Sequence, residues 1–310
     1  MRYLVTGGAG FIGSHLVDAL ITKGSEVVVL DNFSTGKREN LAHLDGRIRV
    51  VEGDIRQLST VEDAVAGCHA VWHQAALPSV PRSMKDPIST HEVNATGTVN
   101  VLWAAHRAGA RRVVLASSSS VYGDTPTLPK VEGMELLPKS PYAASKLSDE
   151  IYAAAFSRGH GLETVALRYF NVFGPRQDPM SPYAAVIPIW LRLMREGKSP
   201  LIFGDGNQSR DFTFIDNVVA ANLAAMDAPA ASGLAFNVAA GERVVLIELA
   251  HELMRIYGFA GGLEHTERRA GDIEHSWADV SQAKAMMSYQ PTVHWREGLQ
   301  RTVDWFREND

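Results

Sequence analysis

The beginning of the chain carries two short apolar runs separated by an amphipathic repeat. Residues 2–6 form a mainly apolar run of the length expected for a buried β-strand. Apolar side chains then recur at helical spacing over residues 16–20, which predicts an α-helix. A second apolar run covers residues 27–30 and ends at an aspartate. The pattern predicts a strand, a helix and a second strand, in that order.

Glycines fill the turn between the first predicted strand and the first predicted helix. Gly7, Gly10 and Gly13 fit the T-G-x-x-G-x-x-G spacing, and Gly8 with the last two fits G-x-G-x-x-G. Glycines let the backbone turn tightly and approach a pyrophosphate, which binds the N–H groups at the start of the helix. Asp31 follows Gly13 at close to the ~20-residue spacing of an acid that binds an adenosine ribose. We therefore predict a dinucleotide-binding unit.

The acid at the end of the second strand also bears on which dinucleotide binds. A carboxylate beside the ribose repels a 2′-phosphate, so Asp31 favours NAD over NADP. Lys37 and Arg38 lie close enough to oppose this conclusion, but we interpret them as part of a solvated loop.

Strand and helix patterns continue to alternate through the first half of the chain. We predict further strands at Ile48–Val51, Ala70–His73, Arg112–Ala116 and Glu163–Tyr169, and helices at Thr60–Ala66, Ser89–Ala108 and Tyr142–Ser157. Nearly continuous apolar strands rich in β-branched residues are typical of a parallel sheet covered on both faces. The predicted fold class is therefore α/β, with a Rossmann-type doubly wound parallel sheet.

The character of the sequence changes after Gly174, where proline and glycine become frequent. A strand is predicted at Phe212–Ile215, and helices at Ala184–Glu196, Asp216–Met226, Val244–Tyr257, Val280–Met287 and Trp295–Arg307. We divide the chain into an NAD-binding domain, residues 1–174, and a smaller C-terminal α/β substrate domain, mainly residues 175–310. Residues 212–238 are expected to return to the first domain. Because no flexible linker is visible, the two domains should share a tight cleft.

The composition is ordinary for a soluble protein, with 45% hydrophobic and 21% charged residues. The formal net charge is −5 without a basic block, which argues against a nucleic-acid partner. The apolar runs are too short to span a membrane. The first strand starts directly after Met1, which leaves no room for a signal peptide, and the single Cys68 cannot form an internal disulfide. We expect a cytoplasmic protein with no membrane, nucleic-acid or metal site.

Tyr142 and Lys146 form a second group of candidate functional residues. At positions i and i+4 of a predicted helix they share one face, so the phenol and the ammonium project together. A free tyrosine has a pKa of ~10, and a nearby positive charge favours the phenolate that can act as a base. A run of serines, 117–120, ends a predicted strand, and in open α/β sheets the carboxyl ends of strands face the ligand crevice. A serine there can orient a substrate hydroxyl.

Several motifs occur in a fixed order along almost the whole chain. They are Thr6–Gly13, His73–Ala76, Ser118–Gly123, Tyr142–Lys146, Arg168–Arg176, Phe203–Gly206, Arg210–Asp216, Asn237 and Arg269–Asp272. Together they resemble the extended short-chain dehydrogenase/reductase family, and within it the nucleotide-sugar 4-epimerases. The resemblance implies NAD as cofactor, a UDP-sugar as substrate and inversion of the sugar at C4.

The resemblance also implies a role for each matching residue. The implied catalytic residues are Ser118, Tyr142 and Lys146, with Tyr142 as the base. The implied cofactor-binding residues are Gly7, Gly10, Phe11, Ile12, Gly13, Asp31, Asn32, Asp54, Ile55, Tyr142 and Lys146. The implied substrate-binding residues are Ser118, Asn171, Arg210, Arg269, Asp272 and Ser276. Guanidinium groups match the oxygens of a diphosphate, although surface ion pairs are the more common use of arginine.

The implied reaction passes through a 4-keto sugar. Tyr142 takes the proton of the 4-OH group while C4 gives a hydride to NAD. The keto sugar turns over in the site, and the hydride returns to its opposite face. Because NAD is regenerated in each turnover, it can remain bound.

Ser276 is the basis for an expectation about the sugar. It stands just before Trp277, where epimerases restricted to simple hexoses have a bulky tyrosine, and a small residue goes with room for an N-acetyl group. The segment Ser79–Met84 also resembles epimerases that favour N-acetylated sugars. We expect interconversion of UDP-N-acetylglucosamine and UDP-N-acetylgalactosamine alongside UDP-glucose and UDP-galactose. The alternative is that other residues shape the pocket.

Three rival functions share parts of this pattern. A 4,6-dehydratase is disfavoured, since Ser119 and Ser120 stand where that family has Asp-Glu. A UDP-glucuronate 4-epimerase or decarboxylase stays open, because few contacts distinguish it. A non-catalytic NAD-binding sensor or scaffold usually lacks the tyrosine and lysine that are present here.

Two predicted helices carry apolar and small residues on more than one face. These residues are Val99, Leu102, Ala105, Leu147, Ile151, Ala154 and Ala155. One face covers the sheet, and the other could pair with a second copy, as in related epimerases that dimerise through a four-helix bundle. We expect a homodimer, with a monomer as the alternative.

Overall fold

Short apolar segments form the strands of the computed structural model, which describes residues 1–181, 184–268 and 273–309. In chain order the strands are β1 (Arg2–Thr6), β2 (Glu26–Asp31), β3 (Arg49–Glu52), β4 (Ala70–His73), β5 (Arg112–Ser118), β6 (Glu163–Tyr169), β7 (Val172–Phe173), β8 (Leu201–Phe203), β9 (Ser209–Arg210), β10 (Thr213–Phe214), β11 (Leu234–Val238), β12 (Val244–Val245) and β13 (Glu264–Thr266).

Seven of these strands form one parallel sheet in the order β11-β6-β5-β4-β1-β2-β3. The strand order reverses between β1 and β4, and the crevice at such a switch point is where doubly wound sheets bind ligands. The predicted Rossmann-type parallel sheet is confirmed. The other strands pair two by two outside the sheet.

The helices cover both faces of this sheet and continue beyond it. They are α1 (Phe11–Thr22), α2 (Leu58–Val65), α3 (Val80–Lys85), α4 (Pro87–His91), α5 (Gly97–Arg107), α6 (Pro141–His160), α7 (Val186–Arg195), α8 (Ile215–Asp227), α9 (Leu246–Tyr257), α10 (Ser281–Met287) and α11 (Trp295–Glu308). Within the described ranges, no helix combines the length and apolarity that crossing a membrane requires.

Alternation along each strand gives the sheet two apolar faces. Leu4 of β1 packs with side chains of α2 and α5, such as Val61 and Val101. Its neighbour Val5 points to the opposite face, where α1 and α8 pack. The sheet is therefore buried on both sides, as its apolar strands predict.

The C-terminal helices have no core of their own. Trp190 of α7, Leu253 of α9 and Leu299 of α11 belong to the same apolar cluster as Val5 in the sheet. This shared core holds the C-terminal segments against the carboxyl edge of the sheet. The division into two domains at residue 174 stays a prediction.

The predicted helix Ser89–Ala108 differs in its first half. The structure has α4, then a turn of π-helix over Glu92–Thr96, then α5. The wider turn carries the buried Asn94, whose side chain accepts from the Leu77 N–H at 2.8 Å and donates to Ser145 Oγ at 3.0 Å. These bonds tie the loop after β4 to α6, and no pattern of apolar positions indicates them.

Candidate active site

The glycine turn joins β1 to α1 with almost no space for side chains. Gly7 has φ +66°, a conformation that favours glycine. A Cβ on Gly13 would lie only 2.1 Å from the Gly7 carbonyl oxygen. Gly10 precedes α1 and provides no side-chain cap. The first N–H groups of α1 are thus left without a side-chain acceptor from the cap position, as an anion-binding helix start requires.

A cavity of about 730 Å³ opens over this turn at the carboxyl edge of the sheet. It is lined by all the residues predicted to bind the cofactor: Gly7, Gly10, Phe11, Ile12, Gly13, Asp31, Asn32, Asp54, Ile55, Tyr142 and Lys146. Parallel strands end at the same edge, so residues far apart in sequence meet here. The structure brings this predicted set together, while the individual roles stay predictions.

Asp31 holds the turns around the cavity as well as facing it. One carboxylate oxygen accepts from the Ala9 N–H at 2.9 Å and the other from the Phe33 N–H at 2.8 Å. Burial raises the pKa of this carboxyl, and the two N–H donors oppose the effect. Each oxygen has a further lone pair, so the carboxylate can also accept from a ribose hydroxyl.

The two cations near Asp31 already have carboxylate partners. Lys37 Nζ lies 2.9 Å from Asp178 Oδ1, and Arg38 pairs with Glu52 while stacking 3.9 Å from the centre of the Phe33 ring. A 2′-phosphate would have to compete with these carboxylates. The contacts therefore support the prediction of NAD rather than NADP.

Asp54 is held at the adenosine end of the cavity by charge and hydrogen bonds. Arg56 donates to both carboxylate oxygens, and Asn32 Nδ2 donates to Oδ2 at 3.0 Å. The Arg56 contact is the main cause that lowers the pKa of Asp54 to about 2. Asp54 is consequently an ionised hydrogen-bond acceptor in the cavity lining.

The start of α6 places Tyr142 and Lys146 in the cavity wall. Ser140 caps the helix by accepting from the Ala143 N–H at 3.1 Å, and Pro141 occupies the first turn. Lys146 is buried, and its Nζ donates to the Ala116 carbonyl at 3.0 Å and lies 3.1 Å from Asp149 Oδ2. The predicted pair thus faces the same cavity as the glycine turn.

Ser118 ends β5 beside this wall. Its Oγ accepts from the Ser120 N–H at 3.2 Å and from the Ser120 hydroxyl at 2.9 Å. The preceding Ser117 lines the cavity and donates to Glu150 at 2.5 Å. The structure places Ser118 one residue from the cavity lining and leaves its own donor proton uncommitted in these contacts.

The predicted substrate residues are distributed over several loops. Asn171 follows β6 with a backbone φ of +27°, which residues other than glycine rarely adopt. Residues with such strained backbone angles cluster at functional sites. Arg210 donates to the carbonyls of Ser209 and Glu274, and the Ser276 N–H donates to the Ser209 carbonyl at 3.0 Å. Arg210 and Ser276 are therefore neighbours. The other two predicted residues, Arg269 and Asp272, lie outside the described residues.

The segment from Arg176 to Asp178 lines the cavity and makes ion pairs that no sequence motif indicated. Arg176 pairs with Asp18 of α1 at 2.7 Å, and Asp178 pairs with Lys37 across the cavity mouth. Arg176, Phe33 and Ser79 all line the cavity with positive φ values. Such outliers gather at binding sites. A proline-rich and glycine-rich stretch after β6 was the available signal, without indicating what it contacts.

Comparison with known proteins identifies the family. The sequence pattern of the NAD dependent epimerase/dehydratase family matches residues 3–239. The chain belongs to this family. The predicted membership of the extended short-chain dehydrogenase/reductase family is thereby confirmed. The prediction of NAD as the cofactor is confirmed as well.

Proteins that resemble the chain along its full length have different activities. A UDP-glucose 4-epimerase of Mycolicibacterium smegmatis is 40% identical over 316 residues and covers 99% of both chains. The structure of a UDP-N-acetylglucosamine 4-epimerase from Methanobrevibacter ruminantium M1, in complex with UDP-N-acetylmuramic acid, is 38% identical with a TM-score of 0.95, covering 100% of this chain and 99% of that one. A UDP-N-acetyl-alpha-D-glucosaminuronate decarboxylase of Bacillus cytotoxicus is 34% identical, covering 99% and 98%.

The residues present fit NAD. The uncapped start of α1 suits a pyrophosphate, and the carboxylates of Asp31 and Asp54 suit the adenosine ribose and the adenine amino group. Tyr142 and Lys146 line the same cavity and offer a hydroxyl and an ammonium, which suit the hydroxyl groups of a nicotinamide ribose.

Proposed function

We propose that the protein interconverts C4 epimers of UDP-sugars through a 4-keto intermediate, with NAD kept bound between turnovers. The observation that supports this most directly is that Tyr142 and Lys146 line the same cavity as the glycine turn. A base at the nicotinamide end of a dinucleotide site serves the oxidation of an alcohol. The 4-epimerases among the similar proteins support the choice of reaction.

In this proposal each side chain has a separate task. Tyr142 removes the 4-OH proton and later gives it back, while Ser118 orients that hydroxyl through its free donor. Lys146 stabilises the phenolate by its charge and holds the nicotinamide ribose. When bound, NAD supplies a reversible hydride acceptor for C4. Arg210 binds the diphosphate, so the sugar can turn while the nucleotide stays in place.

For the sugar, we propose that N-acetylated UDP-hexoses are accepted together with UDP-glucose and UDP-galactose. Ser276 is half-buried and is held by its backbone beside Arg210, the proposed diphosphate residue. A serine there leaves room that a larger side chain would fill. The UDP-N-acetylglucosamine 4-epimerase of similar structure supports this proposal for the sugar.

A uronate substrate is the second candidate. Arg82 lines the same cavity as Tyr142, and a guanidinium is the side chain that best matches a carboxylate. The uronate decarboxylase among the similar proteins favours the same substrate class. The two candidates differ in the sugar that is consumed. Among uronate reactions, decarboxylation releases CO₂ and leaves a pentose derivative, whereas 4-epimerisation conserves mass.

We also propose a cytoplasmic homodimer with a smaller substrate domain after residue 174. Ile151 and Tyr152 of α6 are 61% and 43% exposed, and Trp103 of α5 is 36% exposed. Leu102 and Ala105 of α5 belong to the face that is buried against the sheet. The remaining apolar side chains form the face that a second copy would cover.

The experiment is incubation of the purified protein with neutral, N-acetylated and uronate UDP-sugars, followed by product analysis and by measurement of released NAD. We expect epimers of equal mass and stoichiometric NAD. Tyr142→Phe should reduce turnover by ~10²–10⁴-fold. Tyr152→Phe is the matched control, since this tyrosine lies exposed on the same helix. Turnover of uronates, with or without release of CO₂, would support the second candidate, and NAD without turnover of any sugar would support a non-catalytic sensor.

A further inference from the structure

A second carboxyl group lies behind the proposed catalytic lysine. Asp149 follows Lys146 by one turn of α6, and its side chain is 1% exposed. Its Oδ2 lies 3.1 Å from Lys146 Nζ, while its Oδ1 is buried without a hydrogen-bond partner in the described part of the chain. A buried carboxyl with an unsatisfied oxygen is costly, so its retention calls for an explanation beyond packing.

A line of buried polar groups continues from Asp149 to the first strand. The Thr98 hydroxyl of α5 lies against the carboxyl and lowers its pKa, although Oδ1 itself has no partner with hydrogen-bond geometry. His73 Nε2 lies 2.9 Å from Thr98 Oγ1, and His73 Nδ1 lies 2.7 Å from Thr6 Oγ1. Thr98, beside Asp149, is thus linked through His73 of β4 to Thr6 of β1, the strand that leads into the glycine turn.

The charges around Asp149 make it the counterion of Lys146. Burial raises the pKa of Asp149 to about 6, and Lys146 partly opposes this. Glu150 also faces Asp149 and raises its pKa, but Glu150 is held by Arg168 at 2.7 Å. His73 is neutral, because burial lowers its pKa to about 3. Around neutral pH the Asp149 carboxylate is thus the anion that balances the buried ammonium.

The contacts of Lys146 show how Asp149 fixes the position of its ammonium group. An ammonium has three N–H donors. One is directed to the Ala116 carbonyl at 3.0 Å and one to Asp149. Only the third is left for the cavity. Without Asp149 the long lysine side chain would have one fixed contact and several rotamers.

We propose that Asp149 is a positioning residue for the reaction, which holds the Lys146 ammonium toward the cavity and sets the pH range in which Tyr142 acts as a base. This inference rests on the roles proposed above for Tyr142 and Lys146. Asp149 itself touches neither substrate nor cofactor and acts only through Lys146.

The sign of the pH effect follows from the charge. Asp149→Asn removes a negative charge and keeps the shape of the side chain. The surroundings of Tyr142 and Lys146 become more positive, which favours loss of a proton from each. Both limbs of the profile of kcat against pH should therefore move to lower pH, by about one unit. At the optimum kcat should fall about 10- to 100-fold, since the ammonium is less well fixed.

The test compares Asp149→Asn, Asp149→Glu and Thr98→Val with the wild-type holoenzyme, using one UDP-sugar that the wild type turns over. Asp149→Glu keeps the charge and should keep the pH limbs, with a lower kcat. Thr98→Val removes the hydroxyl beside the Asp149 carboxyl. It should shift the acid limb in the same direction as Asp149→Asn, but by a smaller amount. A second readout is the pH titration of the ultraviolet tyrosinate signal, from which the signal of the matching protein with Tyr142→Phe is subtracted. Its midpoint should fall in Asp149→Asn.

Three results would overturn the proposal. They are unchanged pH limbs in a folded Asp149→Asn, an unchanged tyrosinate midpoint in that variant, or an equal shift in Asp149→Glu. If Asp149→Asn does not fold, Thr98→Val decides by the same two readouts. An active Tyr142→Phe enzyme would show that Tyr142 is not the base. If Tyr142→Phe is inactive but Asp149→Asn has the pH profile of the wild type, only the role proposed for Asp149 is wrong.

Discussion

Replacement of Gly13 by alanine tests how the glycine turn forms the cofactor site. A Cβ at this position would lie 2.1 Å from the Gly7 carbonyl oxygen, and 2.8 Å from both the Gly7 carbonyl carbon and Gly8 Cα. Non-bonded heavy atoms prefer separations of roughly 3.5 Å, so the first turn of α1 would have to move by about 1 Å. The obstacle is backbone, which cannot rotate away as a side chain could.

The shift should affect stability and cofactor affinity by different amounts. Overpacking of this kind usually costs about 1–3 kcal/mol of unfolding free energy. The N–H groups at the start of α1 would also move from the pyrophosphate position. Each charge-assisted hydrogen bond contributes about 1.5–3 kcal/mol, so loss of one weakens NAD binding by roughly 10- to 150-fold.

The assay is the NAD content of the purified protein and its rebinding affinity, together with the thermal midpoint. Gly159→Ala is the matched control, because this glycine also lies in a helix and a Cβ on it meets nothing within 4 Å. The control should keep full NAD and become slightly more stable, by up to ~1 kcal/mol. A Gly13→Ala protein with wild-type NAD affinity would refute the idea that this close approach shapes the site.

Three further predictions concern the sugar, the assembly and acid stability. Ser276→Tyr should remove turnover of N-acetylated sugars while leaving UDP-galactose turnover within a few-fold, as measured by product analysis; parallel losses on both sugars would contradict this. Ile151→Asp should weaken a dimer at least 100-fold in light scattering, because each copy loses about 1.5–3 kcal/mol of apolar burial. Burial lowers the pKa of His73 from 6.5 to about 3, so the folded state resists protonation and stability should fall as pH drops through that window, by up to about 5 kcal/mol. In denaturant titrations, the unfolding free energy of His73→Gln should depend less steeply on pH than that of the wild type. An equally steep dependence would contradict the role of His73 in acid stability.

The local sequence pattern was sufficient to predict the βαβ unit that contains the glycine turn. The glycines, the helix start and Asp31 lie within one βαβ unit, where short-range geometry decides the contacts. The strand ends could be placed at one edge because every strand of the sheet is parallel. For the same reason Tyr142 and Lys146, distant in sequence from Gly7, could be expected near it.

Contacts between distant segments were not predictable in this way. From the sequence Asp149 is only one more polar position of a helix, since nothing local shows that Thr98 lies beside it and that His73 lies behind Thr98. The ion pair between Lys37 and Asp178 joins residues from opposite sides of the cleft. Such pairs depend on how whole elements dock, which neither periodicity nor spacing determines.

The residues proposed to bind the sugar nucleotide depend on docking of this kind more than the predicted cofactor residues do. Ser209 and Arg210 form β9, which pairs antiparallel with β12, and Ser209 also bridges to His275. These contacts hold Ser276 next to Arg210, the residue proposed to bind the diphosphate. A change in the loop that carries Ser276 could therefore alter the sugar that is accepted without touching Tyr142 or Lys146. On this argument proton transfer and substrate choice are separable properties of the fold, and Ser276→Tyr is the variant that should separate them.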